Sequence, residues 1–145
     1  MVGRVLCAHI YVECYLDRHL ENCPPLVNIK KLKFAQKILR MDNNSVSVQW
    51  ILPGLKQLNK LRNDVAHNLH VTVGEHDAKV FLTTPGFEMY RQMYTLGTPS
   101  QDPTIILEEF AHHAAIVLSA TSNPVAAAMT RTFEELTVCR HKPLA

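Results

Sequence analysis

From Leu55 onward, apolar residues recur at three- and four-residue steps as Leu55, Leu58, Leu61, Val65 and Leu69, which marks one face of an amphipathic helix. Pro53 suits a first helical turn, so this helix is expected from Pro53 to about His70. Leu6, Ile10, Leu16 and Leu20 lie near the same period and predict a largely buried helix from about Val2 to Leu20. Asn28 is placed to cap a second helix running to about Met41, with Leu32, Ala35 and Leu39 turned inward. The pattern changes at Val71. Val71-Thr72-Val73 and Lys79-Val80-Phe81-Leu82-Thr83 are β-favouring runs split by Gly74 and polar residues, which predicts a short β-hairpin or extended insertion near residues 71–84. Phe87, Tyr90, Met93 and Tyr94 then fit a short helix ended by Gly97. Asp102-Pro103 and Asn123-Pro124 each join a capping side chain to a proline at the first helical position, opening helices to about Ala120 and Cys139. The expected fold is all-α, a small helical bundle forming a single domain over residues 1–145, with no internal repeat and no linker.

Composition agrees with one foldable domain and excludes several classes. The 145 residues are 47% hydrophobic and 19% charged, so the chain is neither disordered nor collagen-like and is long enough to bury a core without disulfide or metal staples. A net charge of +2 is too small to announce a nucleic-acid binder on its own. Cys7, Cys14, Cys23 and Cys139 form no C-x-x-C pair and no zinc-type spacing, which fits free thiols in a reducing compartment. The apolar stretch at residues 5–12 is followed at once by Glu13, Asp17 and Arg18, with no small-residue cleavage site. No apolar run approaches the ~20 residues of a membrane span. A cytoplasmic protein with no membrane partner is expected. The unusual feature is eight histidines, each a proton carrier near neutral pH.

The segment from Leu58 to His70 concentrates the candidate chemistry. Beside its leucine stripe lies a sector holding Asn59, Arg62, Asn63, Ala66, His67 and His70, while Asp64 points away and leaves the sector without a carboxylate. Small Ala66 leaves room for another backbone or a substrate. A permanently charged guanidinium, an amide and an imidazole suit an anionic phosphate transition state. Arg62 would stabilise charge on the phosphoryl oxygens and His67 would move a proton as general base or acid. RNA supplies its own nucleophile, the 2′-hydroxyl, so no metal or other cofactor is needed. The reaction wants an acid and a base, and a two-fold dimer would bring a second His67 to the site. The structural alternative is a solvated helix face on which His67 and His70 interact with the negative end of the helix dipole.

The string Arg62-Asn63-x-x-x-His67 resembles the R-x4-6-H motif, usually beginning Arg-Asn, of the HEPN superfamily, the higher eukaryote and prokaryote nucleotide-binding domains. The wider resemblance, from Val2 to His70, rests on helix order: an apolar first helix with Glu13, a second with Phe34-Ala35 and basic residues, then the motif helix. It implies a small all-α bundle and a metal-independent endoribonuclease acting as a toxin or defence effector. It also implies a site formed at a homodimer interface, with Arg62 and His67 as the catalytic pair, Asn63 as the motif's polar second residue, and an antitoxin protein as partner. Where some such toxins carry a tyrosine two residues after the histidine, this chain has Leu69, so regulation through tyrosine modification is not implied. The alternative within the same resemblance is a non-catalytic scaffold or regulator that uses this face for dimerisation or nucleotide binding.

Lys30, Lys31, Lys33, Lys37 and Arg40 have no acidic residue among them, and on a continuous helix Lys30, Lys33, Lys37 and Arg40 would form a cationic stripe able to track a phosphate backbone. With His70 they complete the candidate RNA-binding set. Glu109 and His112 make one E-x-x-H step, but a di-iron bundle needs a second motif and further carboxylates, so no metal site is assigned. Surface pairs Glu108 with His112 and Glu109 with His113 are the simpler expectation. Cys7 and Cys14 share a helix face and read as buried small hydrophobes. Glu13 is placed either to contact the motif helix and orient Arg62 or to stand half-exposed. Phe87, Tyr90 and Tyr94 read as core packing.

Overall fold

The computed structural model describes residues 1–23, 28–41 and 44–140. Among them are seven α-helices: α1 (Val2–Glu21), α2 (Phe34–Ile38), α3 (Val46–His67), α4 (Glu75–Leu82), α5 (Phe87–Tyr94), α6 (Pro103–Ser119) and α7 (Pro124–Arg140), with a 3-10 turn at Ile29–Lys31 before α2. No strand occurs among the described residues, so the all-α bundle is observed. Its centre is α6, which buries residues on most of its circumference and packs against α1, α3, α4, α5 and α7. A helix apolar all round can be stable only when it is enclosed in this way.

The two proline-preceded starts follow from local chemistry. Asp102 accepts a hydrogen bond from the Thr104 N–H at 2.8 Å, and Asn123 accepts from the Val125 and Ala126 N–H groups, so each cap satisfies donors the first turn leaves free. α1 also forms as expected, although its inner face is Val5, Ala8, Val12, Leu16 and Leu20, with His9 and His19, while Ile10 is 65% exposed.

Four expectations are corrected. The β-hairpin near residues 71–84 does not form: residues 75–82 are helical. Asp77 accepts from the Gly74 N–H at 2.9 Å, Glu75 and Asp77 lie at the positive end of the helix, and Ala78 and Phe81 are buried, Phe81 stacking on Phe110 at 4.8 Å. Capping and aromatic burial outweigh the β preference of the run.

The second helix is shorter than expected. Leu32 and Lys33 are extended, and α2 covers only Phe34–Ile38, started by the Lys33 N–H donating to Gln36 Oε1 at 2.8 Å. Phe34, Ile38 and Met41 point inward, whereas Ala35 and Leu39 are exposed.

α3 begins at Val46, capped by Ser45, so that Pro53 falls inside it rather than in its first turn. The helix continues through the proline because Val48, Ile51, Leu55, Leu58 and Leu61 bury on either side of it. Next to it Gly54 lets α3 lie directly on α6, since a Cβ there would stand 2.2 Å from the Phe110 ring. At the other end α3 stops at His67, which leaves Leu69 73% exposed beyond it. On α5, finally, Phe87 and Tyr90 are core residues, but Met93 and Tyr94 are each 54% exposed.

Candidate functional site

The C-terminal half of α3 has two distinct faces. Leu58, Leu61 and Val65 are buried, while Arg62, Asn63, Ala66 and His67 are exposed. Arg62 Nη1 donates to Asn63 Oδ1 at 3.1 Å, a bond that holds the guanidinium beside the amide. Asp64 is withdrawn from this face by Lys60, 2.7 Å away. Arg62, Asn63 and His67 line a cleft of about 560 Å³ together with Asn59 of α3, His9 and Glu13 of α1, and Lys33, Phe34 and Ala35 at the start of α2. The three motif residues assigned from the sequence are therefore in one place, and α1 contributes to the same cleft.

α1 brings a carboxylate to a surface that the motif helix alone leaves free of one. Glu13 does line the cleft, but no bond to Arg62 fixes that guanidinium; the carboxylate is held instead by Lys37, whose Nζ lies 2.7 Å from Glu13 and 2.7 Å from Asp17. Lys37 is buried. Burial opposes its charge, yet the hydrogen bonds to Asp17 and Glu13 prevail and raise its pKa above the ordinary lysine value. Lys37 thus neutralises the acidic side of α1 and is removed from the set of lysines able to hold RNA. The cationic stripe does not form, because the extended residues Leu32 and Lys33 break the helical register on which it depended. Lys33 faces the cleft, whereas Lys30 and Arg40 are exposed away from it. His70 lies past the end of α3, where its N–H donates to Asn68 Oδ1 at 2.9 Å, and does not line the cleft.

His9, which its sequence position offers only as a weak candidate base beside Cys7 and Cys14, belongs instead to this cleft. It is 5% exposed, packs its ring on Phe34 at 4.3 Å, and has Glu13 Oε2 3.9 Å from Nδ1, while Nε2 has no hydrogen-bond partner. Burial lowers its pKa, with Arg62 and Lys37 acting in the same direction, while the charge of Glu13 and a side-chain hydrogen bond with Asn59 oppose it. The available signal was a histidine four residues before Glu13 on an apolar helix, which places both side chains on one face.

The remaining candidates are structural. Glu108 is drawn to Arg4 at 2.6 and 2.7 Å, a pairing that lowers its pKa, and Glu109 to Arg91 at 2.7 Å. Arg91, buried, also donates to the Ser100 carbonyl and ties the loop before α6 to α5. The expected pairing of Glu109 with His113 is therefore replaced: His113 is 1% exposed among Phe87, Tyr90 and Phe133, and burial pushes its pKa down to about 3. Among the described residues no group of three or more His, Cys, Asp or Glu side chains is placed to hold a metal ion. Cys7 and Cys14 are exposed rather than buried, because they fall on the side of α1 that turns away from its apolar face. None of the described helices is long and apolar enough to cross a membrane.

Comparison with known proteins adds no relative to this geometry: no family model, no curated protein and no solved structure matches the chain.

Proposed function

We propose that this chain is a HEPN-type endoribonuclease that cleaves RNA without metal through attack of the 2′-hydroxyl on the adjacent phosphodiester. The observation that carries this reading is the cleft in which Arg62, Asn63 and His67 converge while its one carboxylate, Glu13, is already held by Lys37. A phosphodiester in that cleft meets the Arg62 guanidinium, held beside Asn63 rather than by a carboxylate, with Lys33 also lining the cleft. Arg62 stabilises the charge that builds on the phosphoryl oxygens, Asn63 keeps the guanidinium oriented, and His67 carries a proton. Low overall charge is compatible with this role, because attraction of the substrate depends on the local field.

A toxin or defence role in the cytoplasm, an antitoxin partner and a homodimer belong to the same proposal, supported by the motif resemblance. Exposed Ala66 in the middle of the motif face would let a second copy approach. Light scattering at micromolar concentration checks the dimer, which a 16.4 kDa species alone would exclude.

The deciding experiment is cleavage of several RNAs in EDTA by wild type, Arg62→Ala and His67→Ala. Each variant should lose about 10²-fold or more of the activity while remaining folded, since both side chains are exposed. Undiminished cleavage by both variants would remove the site. No cleavage by folded wild type would leave the non-catalytic scaffold, with phosphate or nucleotide binding at the cleft as its own readout.

A further inference from the structure

A phosphodiester transfer needs one group to take the proton of the attacking hydroxyl and another to give a proton to the leaving oxygen. α3 offers His67 alone for these two tasks. The cleft offers a second imidazole from the same chain, because α1 packs against α3 and His9 lines the same cleft as the motif residues. His9 is enclosed to 5% exposure and its ring is fixed against Phe34, yet Nε2 has no protein partner. A buried nitrogen left unpaired requires an explanation, and unlike His113 Nδ1, which is enclosed by aromatic rings, this one belongs to a ring that lines a polar cleft. The charged and polar groups around it are Glu13 on its own helix, Lys37 of α2, and Arg62 and Asn59 of α3. Glu13 Oε2 lies 3.9 Å from Nδ1, where its negative charge favours the tautomer of the neutral ring that carries its proton on Nδ1 and its lone pair on Nε2.

We propose that His9 is a second catalytic residue of the cleft, the general base that pairs with His67 as general acid, so that one protomer holds both proton carriers. This rests on the ribonuclease reading above. In the step, the ribose 2′-oxygen forms its bond to phosphorus as its proton passes to His9 Nε2. The bond from phosphorus to the 5′-oxygen breaks, and that oxygen receives the proton carried in by His67. The products are a 2′,3′-cyclic phosphate and a 5′-hydroxyl, and the two imidazoles return to their starting states by exchanging a proton with water. The roles follow from position. His9 is enclosed near the two cations Arg62 and Lys37, which disfavour a resting positive charge on it, whereas His67 stands in solvent at the C-terminal end of α3, where water can resupply its proton.

The test compares wild type, His9→Gln and His67→Ala in RNA cleavage across pH, with circular dichroism establishing that each is folded. His9→Gln should lower kcat about 10²–10⁴-fold with KM within about threefold, and should abolish the rise of kcat on the acid side of the pH profile. His67→Ala should abolish the fall on the alkaline side. Because His9 is buried and its replacement can disturb folding, ¹⁵N spectra of the wild-type imidazoles are recorded with a non-cleavable dinucleotide that keeps the ribose 2′-hydroxyl and carries a methylene in place of the bridging 5′-oxygen. The His9 Nε2 resonance should shift on saturation. A folded His9→Gln enzyme that keeps its kcat within about threefold and both limbs of the profile overturns the assignment, as does an Nε2 resonance unmoved by saturating dinucleotide. Wild type that binds the dinucleotide through His9 but cleaves no RNA overturns the ribonuclease reading instead.

Discussion

On α6, His113 is enclosed by the rings of Phe87, Tyr90 and Phe133, with no hydrogen-bond partner for Nδ1 and no carboxylate bound to it. On α3, His67 stands in solvent at the mouth of a polar cleft, and on α1 His9 lies between these extremes, buried but beside Glu13 and Arg62. The region around α5, α6 and α7 uses an imidazole as a flat, neutral core side chain. The region around α1, α2 and α3 surrounds its imidazoles with charge. A surplus of histidine is thus not itself a functional signal; what distinguishes the two regions is whether groups of opposite or complementary charge lie within reach.

The largest effect expected from this difference is a double dissociation. His113→Ala should cost about 2–4 kcal/mol of stability through the cavity it opens, with activity per folded molecule unchanged. His67→Ala should leave the denaturant midpoint within error and remove RNA cleavage. Loss of activity in folded His113→Ala, or a large stability loss in His67→Ala, would erase the distinction between the regions.

Acid sharpens the same contrast. The folded pKa of His113 is about 3 against an ordinary value of 6.5, so below pH 6.5 the unfolded chain binds a proton that the folded chain refuses. The stability associated with neutral His113 is therefore whole above pH 6.5 and is lost as pH falls towards about 3, by about 1.4 kcal/mol per unit. Urea melts at pH 7, 6 and 5 should show this slope in wild type, and a shallower one in His113→Phe. Equal slopes would mean that acid acts elsewhere.

The smallest effect separates the lysines of the cleft from those outside it. Lys33→Ala should weaken RNA binding uniformly across sequences and reduce its salt dependence by about one in the log–log slope, as loss of one phosphate contact does. Lys30→Ala and Arg40→Ala, away from the cleft, should change neither.

Legibility from sequence was uneven for identifiable reasons. The starts of α6 and α7 were legible because Asp102-Pro103 and Asn123-Pro124 act within one turn of themselves. The helix at residues 75–82 was not, because its β-favouring run is decided by Phe81 meeting Phe110, a residue from another element. The full length of α3 was hidden behind Pro53, which reads as a beginning unless the packing on both sides of it is known. Within the cleft, Arg62, Asn63 and His67 could be placed together from helical period alone, since all three lie on one short stretch of α3. Glu13 was legible as a neighbour of that helix but not as Lys37's partner, and His9 was legible only as sharing a helix face with Glu13. Each of those depends on how α1 and α2 are laid against α3.

What the sequence determined by itself is local: the helical period, the caps, the cysteine spacing, and the shared face of the motif residues. These follow from interactions within a few residues, where chain geometry is already known. The tertiary structure decided the rest. It broke the cationic stripe, buried Lys37 between two carboxylates, enclosed His113, and brought His9 into the cleft that His67 lines. Burial and charge pairing act through space, and they reverse the meaning of a lysine or a histidine according to which distant element is packed beside it.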